Sequence, residues 1–144
     1  MLCRPLSLFE VNALLPLVQD RMEELHLYWD QAQIIRKQML KQVSAEPAPG
    51  IQSQKLPGSL LEGELTEIEG LMSEKILDLQ RYGAFVREVF PGVVEFYSTR
   101  MGAPVLLNWH FGEEEVGQWM SLDGEMNEPS EITDKTLFGG VILQ

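Results

Sequence analysis

Up to Tyr82 the apolar residues of this chain recur at alternating spacings of three and four, and from Ala84 onwards they alternate in twos. An α-helix repeats every 3.6 residues and a strand every two, so the change of period predicts helices first and strands after them. The expected fold class is α+β: a long N-terminal antiparallel helical hairpin followed by a small antiparallel β-meander. At 144 residues the chain is one domain, 1–144, long enough for one core and too short for two.

Ser7-Leu8-Phe9-Glu10 opens the first helix as a capping box, with Leu6 and Val11 placed as a hydrophobic staple. Val11, Leu15, Val18, Met22, Leu25, Trp29, Ala32, Met39 and Val43 then follow one seam, interrupted by Arg36, closer to a coiled-coil heptad than to a broad amphipathic face. The spacing predicts a helix over about 7–43. Pro16 lies inside it, lacks an amide donor and presses on the carbonyl of Asn12, which predicts a bend, with Asn12 placed to help satisfy the freed backbone.

Residues 44–59 hold three prolines and two glycines with little apolar content, so a loop is expected over about 44–58. Leu61, Leu65, Ile68, Met72, Leu79 and Tyr82, widened by Leu71 and Ile76, predict a second helix over about 59–82. Joined by so short a loop, the two helices fold back on each other. Their lengths differ, about 55 Å against about 36 Å at ~1.5 Å per residue, so several turns of the first are left over. Leu27, Tyr28, Trp29, Ile34 and Ile35 lie on more than one face of it, and a second copy or another protein would cover them.

Tyr82-Gly83 suits a C-cap. Strands are expected near 84–90, 93–97, 104–110 and 115–121, with Pro91-Gly92, Met101-Gly102 and Phe111-Gly112-Glu113 as turns and the meander spanning about 84–121. In the third strand Val105, Leu107 and Trp109 share one face with Phe111, and Leu106, Asn108 and His110 share the other. An acidic segment and an apolar tail make up 122–144, the tail reading equally as an edge strand or a docking segment.

The net charge of −11, from 22 acidic and 11 basic side chains, repels phosphate backbones and anionic lipid, so no nucleic-acid partner is expected. Eight carboxylates lie between Glu113 and Asp134 with no Lys or Arg among them, a pattern that most often is a solvated face. No apolar run approaches the ~20 residues that span a bilayer, so no membrane insertion is expected. Cys3 is the single cysteine and forms no internal disulfide, and the expected location is cytoplasmic.

No constellation of residues amounts to a reaction site. His26, His110 and Cys3 are the only soft or borderline metal donors, and a structural zinc site is not expected. His110 beside Glu113, Glu114 and Glu115 reads as a strand end next to an acidic turn. Asp123 to Glu128 lacks the central glycine and distant Glu of a calcium loop. No nucleophile elbow and no phosphate-binding glycine loop occurs. No catalytic residue, cofactor or metal is therefore assigned. Arg100 is one of two basic residues after position 90, beside Tyr97, Ser98 and Thr99, and reads either as an anion holder or as an ion-pair partner of Glu95 or a helix carboxylate. Trp109 and Trp119, on neighbouring strands, read as packing rather than as a ligand cage.

Several of these stretches occur together elsewhere. Phe9-Glu-Val-Asn-Ala-Leu-Leu-Pro16, the helical hairpin, Pro91-Gly-Val-Val-Glu-Phe96, Arg100-x-Gly102, Val105-Leu-Leu-Asn-Trp109, Gly112-Glu113 and Trp119 give a chain that resembles the bacterial family known as domain of unknown function 2203. The resemblance implies a Cys before the first of these tryptophans, a His after the second and a Gly-Phe-x-Gly-Arg segment beyond. Here those places hold Asn108, Met120 and Gly124-Glu-Met-Asn-Glu128. It carries over no activity.

The expected function is that of a non-enzymatic interaction or scaffold protein acting through its helical hairpin, as a homodimer or with another protein. The alternative is a small-ligand or anion-binding module using Arg100 and the sheet face. Trp29, Trp109 and Trp119 are the other candidate interaction residues.

Overall fold

A computed structural model describes residues 4–44, 58–122 and 128–139. Helix α1 runs from Leu8 to Ser44 and helix α2 from Gly58 to Arg81. Five strands follow: β1 Phe85–Glu88, β2 Val93–Arg100, β3 Ala103–His110, β4 Gln118–Ser121 and β5 Ser130–Glu131. They form one antiparallel sheet in the order β1-β2-β3-β4-β5. The chain is α+β, as its change of period predicts. The loop expected over 44–58 lies, apart from its two ends, outside the described residues, as do Cys3, 123–127 and the last five residues of the tail.

The ends of the helices are set by local chemistry. The Glu10 amide donates to Ser7 Oγ at 3.1 Å and the Ser7 amide to Glu10 Oε1 at 3.1 Å, the reciprocal pair that a capping box requires. The Ser7 amide bond is the main reason that the Glu10 carboxyl lies below its usual range. At the far end of α2 the Gly83 amide bonds the Gln80 carbonyl and the Ala84 amide the Leu79 carbonyl, a Schellman motif that needs the positive φ of 86° at Gly83. A side chain there would also meet Leu6 Cδ1 at 3.1 Å. The chain thus turns into β1 at the residue where its period changes.

Arg21 lies beside Asp78 at 3.3 Å, Lys75 beside Glu24 at 2.7 Å and Arg36 beside Glu69 at 3.5 Å, which fixes an antiparallel hairpin. This register puts the surplus length of α1 at its start, where the sheet covers it. Leu8, Val11, Leu15, Val18, Met22 and Leu25 form one core with Leu79, Ala84, Val94, Phe96, Val105, Leu107 and Trp109. Each such aliphatic side chain contributes roughly 1.5–3 kcal/mol when fully buried. Beyond Leu25 the hairpin leaves that core as an arm, and its own buried apolar residues are Ala32, Ile35 and Leu61.

Two local expectations are corrected. α1 continues as helix through Pro16, but Asn12 does not turn back to the backbone there: its Oδ1 accepts the Val116 amide at 3.0 Å. The strand bounds also move. β1 is shorter than 84–90, β2 runs on to Arg100, β4 starts at Gln118 rather than 115, and β5 adds a strand not foreseen. β2 lengthens because Met101 and Gly102, both at positive φ, make the two-residue turn whose twist matches an antiparallel pair, so Arg100 pairs with Ala103.

The tail is both of the things its sequence allows. Phe138 bridges Arg100 in β-fashion and is buried in the core, while the Gly139 amide bonds the Thr99 carbonyl at 2.9 Å and the Met101 amide the Leu137 carbonyl at 3.1 Å.

Candidate functional site

Strand alternation divides the candidate residues between two faces. Val94, Phe96, Ser98 and Arg100 of β2 pair with Trp109, Leu107, Val105 and Ala103 of β3, and Leu107 pairs with Trp119 of β4. This is the inner face, against the helices. Glu95, Tyr97 and Thr99 pair with Asn108, Leu106 and Pro104 on the outer face, where Met120 also lies opposite Leu106. Arg100 and Ser98 are therefore parted from Tyr97 and Thr99, and the four do not converge on an anion.

Arg100 packs instead on Trp119, its guanidinium carbon 4.6 Å from the ring centroid, an arrangement in which the ring quadrupole attracts the cation. Phe138 meets Trp119 edge-on at 5.9 Å. The expected ion pair with Glu95 does not form. Glu95 pairs with Arg87 at 3.5 Å, because it points to the outer face and Arg100 to the inner. Arg100 also helps hold the Asp134 carboxyl below its usual range, although the main cause is the Thr136 side-chain hydrogen bond.

Trp109 is fully buried, and its Nε1 donates to the Glu113 carbonyl at 2.9 Å. Glu113 closes the same turn a second time, its Oε1 accepting the His110 amide at 2.7 Å. His110 Nδ1 lies 3.2 Å from that oxygen, so both groups are engaged in shaping the turn. Trp29 is distant from the other tryptophans along the fold: it stacks on Phe90 at 4.4 Å and 12°. His26 Nε2 lies 2.7 Å from the Val89 carbonyl and its ring is edge-on to Phe111 at 4.5 Å. These contacts bind α1 to the β1–β2 turn. Among the described residues no three His, Cys, Asp or Glu are grouped to hold a metal.

The outer face carries an open groove of about 200 Å³ lined by Phe85, Val86, Arg87, Glu95, Tyr97 and Leu106. Phe85 and Tyr97 meet edge-on at 5.4 Å. Asn108 borders it, in register opposite Glu95 and two residues from Leu106, and is 3% exposed with no partner for Oδ1. No candidate residue in the sequence reading lies in this groove. A signal for it was present: an amide in the otherwise apolar run Val105 to Trp109 marks a face that is not simply core.

A family model described as an uncharacterised conserved protein, DUF2203, matches residues 4–129. The chain belongs to the DUF2203 family. The match takes in both helices and the sheet as far as β4, and it ends before β5 and the Phe138 segment. No curated protein matches the chain, and no solved structure does. The two places where a DUF2203 chain was expected to hold Cys and His, Asn108 and Met120, lie on the same outer face of adjacent strands, one residue pair apart.

Proposed function

We propose that this DUF2203 protein acts as a non-enzymatic interaction or scaffold protein, with the helical arm as its contact surface and a second copy of the chain as the simplest partner. The observation that carries the reading is that Leu27 and Ile34, seven residues apart on α1, are 64% and 57% exposed. Helical spacing sets both on the face of α1 opposite the Leu25 and Ala32 seam, so α2 cannot reach them. Leu40, Leu60 and Leu71 add exposed apolar surface to the same arm. The seam itself is thin, since Met39, Leu65 and Ile68 are only half-buried, and pairing two arms into a four-helix bundle would cover them. The net charge of −11 favours a partner surface that is not itself strongly acidic, and the single cysteine suits a reducing cytoplasm.

Light scattering over micromolar concentrations tests this. The expected mass is twice 16.4 kDa, returning towards 16.4 kDa when Leu27→Glu and Ile34→Glu are combined. A wild-type chain that stays at 16.4 kDa throughout rejects self-association.

The alternative, an anion site at Arg100, rests on the guanidinium having no carboxylate within ion-pair distance among the described residues. Its stacking on Trp119 and the nearby Asp134 weigh against it. A metabolite-induced melting shift lost in Arg100→Ala would reverse that preference.

A further inference from the structure

The outer-face groove offers both signs of charge, an amide and an apolar wall within one small space. Glu95 is largely covered, with 18% of its side chain exposed, while its counter-ion Arg87 is 56% exposed and 3.5 Å away. So exposed a guanidinium is weakly held and free to turn towards another carboxylate. Beside Glu95, across the β2–β3 pair, stands Asn108, 97% buried with its Oδ1 unpartnered. An amide oxygen buried without a donor costs roughly 1–3 kcal/mol, a cost that an apolar residue of similar shape would not carry. Phe85, Tyr97 and Leu106 supply the apolar wall.

The ligand must satisfy all four features. A simple anion is repelled by Glu95 and a simple cation by Arg87. A metal ion finds no group of three His, Cys, Asp or Glu among the described residues. A space of about 200 Å³ is below the ~300–1,000 Å³ of sites for drug-sized ligands and suits a molecule of amino-acid size.

We infer that the outer face of the sheet binds a free α-amino acid with an apolar side chain. Its carboxylate takes Arg87, its ammonium donates to Glu95 and Asn108 Oδ1, and its side chain lies on Phe85, Tyr97 and Leu106. The site is on the face of the sheet away from the helical arm, so it stands or falls independently of the reading of the arm.

The test is a titration of the ¹⁵N-labelled protein with L-leucine and L-phenylalanine up to millimolar concentration, read on backbone amides. Saturable shifts are expected at Arg87, Glu95, Leu106 and Asn108, at least tenfold weaker for phenethylamine, which lacks the carboxylate, and for phenylacetate, which lacks the ammonium. Asn108→Leu should raise the melting temperature and weaken L-leucine binding at least tenfold, a pairing that a merely structural residue would not give. Glu95→Gln, which keeps the shape, should weaken binding similarly and serves if Asn108→Leu does not fold. Absence of saturable shifts with both amino acids overturns the inference, as does a charge-deleted analogue binding as tightly as L-phenylalanine or undiminished binding in Glu95→Gln.

Discussion

Asn12 Oδ1 accepts the Val116 amide at 3.0 Å across 104 positions of sequence. One side chain from the second turn of α1 thus fixes the segment between the Glu113 turn and β4, and Val116 is buried as a result. Asn12→Ala leaves a buried amide without an acceptor, and a loss of roughly 1–3 kcal/mol is expected in denaturant unfolding. Asn12→Asp keeps an acceptor at the same reach and should lose less. Equal losses in the two variants would show that the hydrogen bond is not what matters.

Phe138 is 6% exposed, packs on Trp119 and bridges Arg100. Truncating a buried Phe to Ala costs about 3–5 kcal/mol, so Phe138→Ala should be among the most damaging single changes outside the helices. Unfolding midpoints in urea with an unchanged slope would confirm it. A loss under ~1 kcal/mol would mean that the tail adds little to the core.

The Glu10 carboxyl is held below 4.5, chiefly by the Ser7 amide. A group whose folded pKa is depressed stabilises the fold above its unfolded pKa and loses that contribution as pH falls through the folded value. The wild type should therefore melt above Glu10→Gln at pH 7, and the two curves should draw together below pH 4.5. A gap that stays constant down to pH 3 would assign the difference to packing rather than to charge.

At Gly92 the backbone has φ of 125° and a Cβ would stand 2.7 Å from Phe111 Cβ. The neighbour is another residue's first side-chain carbon, fixed by its backbone, so it cannot swing away. Gly92→Ala should destabilise by more than ~1 kcal/mol, although the same change at an unstrained position stabilises. It should also disturb His26, which lies on Phe111, as a shift of the His26 ring resonances in proton spectra.

The parts of the fold legible in sequence were those decided over a few residues. The capping box needs Ser7 and Glu10 only, the Schellman turn needs Gly83, and each period declares its own element. The hairpin was legible, but its register was not, because charge pairs such as Glu24 with Lys75 form between helices whose offset the seams alone leave open. That offset decides whether spare helix is bare or covered, and here the sheet covers it. Arg100 shows how small an error can redirect a site. A strand ending at 97 leaves Arg100 in a turn beside Tyr97, whereas a strand ending at 100 sends the two to opposite faces. The groove was hidden for a related reason: Phe85, Glu95 and Leu106 come from three strands, and only the pairing register brings them together.

The edge of β2 receives both extremes of the described chain. The Leu6 amide bonds the Tyr97 carbonyl, the Gly139 amide bonds the Thr99 carbonyl two residues on, and Gly139 lies against Ser7. On a ribosome these partners appear in the reverse of the order in which they are needed. The capping box is made at the outset, yet the strand edge that holds Leu6 must be synthesised some ninety residues later, and the phenylalanine that seals it later still. Translation thus delivers the first helix long before its seat exists, and the nascent protein carries that helix's apolar stripe uncovered until almost its last residues emerge.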